Sequence, residues 1–233
     1  MGKDAQSDIF FKLLHKFERA GVLDQVMLIG SWCLSFYRST LGKAGKLPVL
    51  RTLDADFLIP SQRSLKREVD IPALLKEMGF VQTFYRSSGW VVYDHPELRV
   101  EFLIPETGRG RDSAHEVKKL HVNAQGLRYL NLLADHPREL FYEGLSVRVP
   151  EPAAFALQKL IISQRRQDKL KQQRDLDTAV ALLDYVFSNS KELSKLKNIL
   201  KDLPKGWGKT LKILAKKYYP RLEAHIPPAR SSR

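Results

Sequence analysis

The residues best able to do chemistry are two aspartates one position apart, Asp54 and Asp56, inside the apolar run VLRTLDADFLI. A strand puts side chains two apart on one face, about 6.6 Å along the chain. Two carboxylates held there cannot be buried unpaired without a heavy desolvation cost. A divalent cation removes that cost, and hard oxygen ligands suit Mg²⁺, with Mn²⁺ as the alternative. A third acid, Glu101, lies in LRVEFLI, where Val100, Phe102 and Ile104 take one strand face and Glu101 the other. Three such carboxylates are the donors of a two-metal site, whose ions, about 4 Å apart, stabilise the attacking and leaving oxygens of an in-line displacement. The plainer reading of each acid is a solvent-facing or salt-bridged side chain.

Gly30 and Ser31 stand where a short apolar strand, QVMLI, runs into a helix, WCLSFYRS. Glycine lets a backbone approach a phosphate closely, and a helix N-terminus offers free N–H groups and the positive end of a dipole. An ordinary N-cap serine is the competing reading.

These pieces, LIGSW, then RTLDADFLI, then RVEFLI, resemble the DNA polymerase β-like nucleotidyltransferase superfamily. Its signature is an apolar strand, Gly-Gly or Gly-Ser, a helix, Asp-apolar-Asp, and a third acid on a later strand. The resemblance covers residues 25–104. The stretch from GSWCL through VEFLIPETGRGRD to FALQKLI is also similar to a bacterial family of nucleotidyltransferase-fold proteins, related to toxin-type and abortive-infection-type enzymes. One departure is the 22 residues between Ser31 and Asp54, a longer spacing than is common there; the loop LGKAGKLP accounts for the excess, and loops tolerate insertion at modest entropic cost.

The resemblance implies a metal-dependent transferase that moves an NMP group from an NTP, such as ATP, to an acceptor hydroxyl and releases pyrophosphate. Asp54, Asp56 and Glu101 would be the catalytic and metal-binding residues. Gly30, Ser31, Arg51 and Lys159 would hold the nucleotide, Lys159 from the segment Gln158-Lys159-Leu160, with Arg174-Asp175-Leu176 as a second recurring segment. Arg109, Arg111, Arg165 and Arg174 are candidate contacts to phosphate or acceptor; for Arg109 and Arg111 in TGRGRD a surface loop is an equal reading. RNA, a protein hydroxyl and an antibiotic all stay open as acceptors. The alternative is a non-catalytic module that binds nucleotide, RNA or protein on the same fold.

The elements that must position these residues follow from periodicity. Phe10, Leu13, Leu14 and Phe17 mark a helix over 7–20, ended by Gly21. Strands are expected at 25–29 and 49–59, then a helix capped by Asp70 with Pro72 in its first turn. Three strands follow near 80–86, 89–93 and 98–104, with a turn at 93–96. The spacing further predicts a helix over 124–133 and a hairpin about Gly144. Beyond Pro150 only helical periodicity remains, over 153–165, 173–187 and two later stripes. The fold class is therefore α/β (α+β): a nucleotidyltransferase-fold mixed sheet with flanking helices, then a C-terminal helical bundle. The expected domains are 1–150, the catalytic domain, and 151–226, the helical domain, with a disordered tail at 227–233.

Charge divides along the same line. The 233 residues carry a net charge of +13. Residues 1–150 hold 21 Lys/Arg against 18 Asp/Glu, and residues 151–233 hold 18 against 8. So basic a helical segment points to a polyanionic partner, with RNA the candidate acceptor, against the plain reading of a solvated lysine-rich surface. A single cysteine, Cys33, excludes an intrachain disulfide and fits a reducing cytoplasm. The N-terminus MGKDAQSD is polar, without a signal-peptide core. GKT at 208–210 mimics a P-loop, but the required first glycine falls on Leu203 and no strand precedes it.

Overall fold

The computed structural model describes residues 5–42, 44, 47–48, 52–85, 89–106, 114–204 and 206–228. Arg51, Arg109 and Arg111 lie outside the described residues. The chain divides into two compact units, Met1–Thr40 with Val49–Pro150, and Leu41–Pro48 with Glu151–Arg233.

The first unit is built on a mixed sheet. Its described strands are β1 (Met27–Ile29), β2 (Asp54–Leu58), β3 (Val81–Tyr85), β4 (Trp90–His95), β5 (Leu98–Pro105), β6 (Ala114–Val117) and β7 (Val122–Leu127). They run in the order β1-β2-β5-β4-β3, with β7 also on β5 and β6 on β7. β2 and β5 are parallel, as are β5 and β7; the remaining pairs are antiparallel. Helix α1 (Ala5–Arg19) buries Phe10, Leu13, Leu14 and Phe17, the expected stripe. Phe17 reaches Phe57 of β2 and Phe102 of β5, with ring centroids 5.3 and 6.4 Å away. Aromatic pairs of this kind add about 1 kcal/mol each beyond the area they bury. This side of β2 and β5 is therefore the core side.

Asp70 caps α3 (Ile71–Glu77) as its sequence predicts, accepting from the Ala73 N–H at 2.9 Å. Helix α2 (Trp32–Thr40) follows β1 and buries Trp32, Cys33, Leu34, Phe36 and Tyr37. Cys33 is core, its thiol donating to the Leu28 carbonyl at 3.2 Å. The hairpin β8 (Pro137–Tyr142) and β9 (Leu145–Pro150) turns at Glu143 and Gly144, both at positive φ, and such turns favour glycine.

Three expectations change. Residues 122–127 form a strand where a helix over 124–133 is expected; only α4 (Asn131–Ala134) is helical there. The cause is the alternation in VNAQGL, whose Val122, Ala124 and Gly126 are buried while Asn123, Gln125 and Leu127 are partly exposed. β4 runs on to His95, so the turn expected at 93–96 is confined to Pro96 and Glu97. β2 begins at Asp54 rather than at 49, with 49–51 outside the described residues.

The second unit is helical: α5 (Pro152–Ser163), α6 (Lys169–Phe187), α7 (Ser190–Lys201), α8 (Trp207–Tyr218) and the short α9 (Pro220–Glu223). α5 is buried on nearly every side, which fits its run of Ala, Leu and Ile. Asp168 caps α6, accepting from Leu170 and Lys171 N–H groups at 2.8 and 3.1 Å. Asn189 does the same for α7. No helix among the described residues is long and apolar enough to cross a membrane.

Candidate active site

The three acids meet through strand register. Parallel pairing sets Asp54 beside Arg99 and Asp56 beside Glu101. Directly paired residues share a sheet face, so Asp54, Asp56 and Glu101 lie on one face. It is the face opposite Phe57 and Phe102, which the α1 core covers. All three acids are partly exposed.

Gly30 fixes the edge of this site. It sits at φ 73°, in the left-handed region, just past β1. β1 is antiparallel to β2 and pairs Ile29 with Asp56. The Asp56 Oδ2 lies so near that a Cβ on Gly30 would overlap it. The glycine is therefore required twice, for its backbone conformation and for the room the carboxylate takes. Ser31 follows, and the Gly30 and Ser31 carbonyls accept from the Cys33 and Leu34 N–H groups at 3.2 and 3.1 Å, opening α2.

The same face carries polar residues outside the acid motif. Arg99 stands between Asp54 on β2 and Asp94 on β4. Its Nε donates to Asp94 Oδ1 at 2.7 Å, and the Thr83 hydroxyl donates to Asp94 Oδ2 at 2.8 Å. The hydrogen bond to Asp94, and less strongly the field of Asp54, hold the guanidinium above its usual range. Strand alternation is the signal that could have found it: Arg99 is two residues before Glu101 and shares its face.

The donor chemistry suits a hard cation. Among the described residues no group of three or more His, Cys, Asp or Glu is placed to hold a metal ion. Register aligns the backbone positions; closing the carboxylates on an ion is left to their side-chain torsions.

In the helical unit, Lys159 is turned inward with 14% of its side chain exposed, and its Nζ donates to Asp175 Oδ1 at 2.6 Å. Arg166 Nε donates to Asp175 Oδ2 at 2.8 Å. The anion that an inward lysine needs is thus supplied within the unit by Asp175. Arg165 and Arg174 are exposed.

The sequence profile of a nucleotidyltransferase family matches residues 9–200, most of the chain. The chain belongs to that nucleotidyltransferase family. Among solved structures it is similar to an antigenic nucleotidyltransferase-like protein from Paracoccidioides brasiliensis, at 15% identity and a TM-score of 0.45, over 95% of this chain and 91% of that one. It is also similar to the antibiotic-resistance factor ANT(2'')-Ia, at 12% identity and a TM-score of 0.42, over 96% and 97%. Among curated proteins none matches significantly.

Proposed function

We propose that this chain transfers an NMP group from an NTP to a hydroxyl of RNA. The observation that carries the reading is the register of Asp56 with Glu101 and of Asp54 two residues before, on one open sheet face beside Gly30. Asp54, Asp56 and Glu101 would hold Mg²⁺, which when bound neutralises the triphosphate and stabilises the developing charge. Gly30 and Ser31 receive the β- and γ-phosphates at the start of α2. The acceptor oxygen bonds to the α-phosphorus as the bond from that phosphorus to the bridging oxygen of the β-phosphate breaks. Pyrophosphate departs, and Glu101 takes the hydroxyl proton. Positioning and electrostatic stabilisation supply most of such a rate enhancement. The excess of basic residues in 151–233 supports RNA as the acceptor.

The alternative reading is a module on the same fold that binds nucleotide or RNA without turnover. One experiment separates the two. The protein is incubated with Mg²⁺, cellular RNA and each NTP labelled at the α-phosphate, and the RNA is resolved on a gel. Labelled RNA supports the transferase; metal-dependent NTP binding with no labelled product supports the module.

A further inference from the structure

The turn from α5 into α6 is the most densely basic stretch of the helical unit. Residues 164–174 carry Arg165, Arg166, Lys169, Lys171 and Arg174, all exposed, against one acid, Asp168. That carboxylate is already committed to capping α6. Two groups beside the turn add to the surface. The Tyr218 hydroxyl at the end of α8 accepts from the Gln164 amide at 3.5 Å, which sets the ring against the turn. The Lys217 Nζ lies 4.8 Å from the centre of the same ring. The Tyr218 hydroxyl is held below the usual tyrosine range, first by a hydrogen bond from Lys217, with the field of Lys169 contributing. A partly exposed aromatic ring thus stands among cations from two helices.

That combination is the chemistry of single-strand recognition. Cations follow the phosphates, and a ring face accepts any base by stacking. A duplex presents phosphates but keeps its bases stacked, so it has no use for the ring. An anionic membrane would want a cluster of apolar side chains, and on this turn the one large apolar residue in the open is Leu170.

We propose that this corner docks single-stranded RNA, with one base stacked on Tyr218 and the adjoining phosphates held by Arg165, Lys169, Lys171 and Lys217. The inference deepens the acceptor reading above and rests on it, because it names where that acceptor is held.

The test is fluorescence anisotropy of the full chain with a labelled single-stranded RNA of about 12 nucleotides, over a salt series, without NTP or divalent ions. Omitting NTP makes the result independent of transfer: an inactive chain that still binds here leaves docking standing and overturns only the chemistry. With four phosphates engaged, the log–log salt slope is expected near −3. Changing Lys169, Lys171 and Lys217 together to Gln should flatten it by about 2. Tyr218→Ala should weaken binding by about tenfold at unchanged slope, while Tyr218→Phe keeps the affinity; matched melting curves show that each variant folds. Equal binding by Tyr218→Ala and Tyr218→Phe, or a slope untouched by the triple change, overturns the proposal. So does binding to vesicles of phosphatidylcholine and phosphatidylserine with none to RNA.

Discussion

Asp56 and Gly30 are fitted to each other: the carboxylate lies where a side chain on residue 30 would begin. At φ 73° an alanine in place of Gly30 costs about 1–2 kcal/mol in backbone strain alone. Its methyl group must also push the Asp56 carboxylate aside. Gly30→Ala is therefore expected to fold with a modestly lowered melting temperature and to lose about 100-fold in transfer rate. Melting curves beside a transfer assay check the split. A variant that loses stability but keeps its rate would mean that the place of Asp56 does not matter.

Asp175 is a buried carboxylate of the helical unit. It is 5% exposed and bonded to both Lys159 and Arg166. Removing it leaves Lys159 turned inward without its counter-charge. Asp175→Ala should cost about 3 kcal/mol of stability. Lys159→Met leaves Arg166 on the carboxylate and should cost less, about 2 kcal/mol. Urea denaturation of the two variants measures both; a neutral Asp175→Ala would contradict the cluster's structural role.

Tyr93 offers a pH handle. It is 2% exposed, and its hydroxyl finds no hydrogen-bond partner among the described residues. Burial, and then the charge of Asp70, push its pKa up to about 12 from 10.0. A raised folded-state value means that the neutral form is favoured on folding. Tyr93 therefore contributes stability fully below pH 10.0, and that contribution drains away as pH rises from 10.0 to about 12. Tyr93→Phe removes an unsatisfied buried hydroxyl, so at neutral pH it should be neutral or stabilising by about 1 kcal/mol. Above pH 10.0 its stability should fall less steeply than that of the parent. Denaturation midpoints at a series of alkaline pH values decide the point.

The acid motif was legible because strand alternation is a local rule. From it the placement of Asp54 with Asp56, and of Glu101 opposite Val100 and Phe102, could be worked out without knowing which strands pair. The pairing itself was not legible. Asp56 comes beside Glu101 only because β5 lies next to β2 in parallel, across the intervening β3 and β4, and no local pattern states that. The strand at Val122–Leu127 was missed for a related reason. Its alternation is carried by small residues, Ala124 and Gly126, so the segment reads as helix until β5 and β6 supply partners on both sides. Lys159 shows the opposite limit. The resemblance assigns it to the nucleotide, and its bond to Asp175, sixteen residues on, is written in no local pattern.

Whether the face shared by β2 and β5 is the catalytic one is decided by transfer of label from an α-phosphate-labelled NTP by the parent chain, Asp56→Asn and Glu101→Gln, with circular dichroism confirming the fold of each. Labelled RNA is expected from the parent in Mg²⁺ and none from either variant, with both variants folded. Labelled product from Asp56→Asn at the parent's rate would place the chemistry somewhere other than the face shared by β2 and β5.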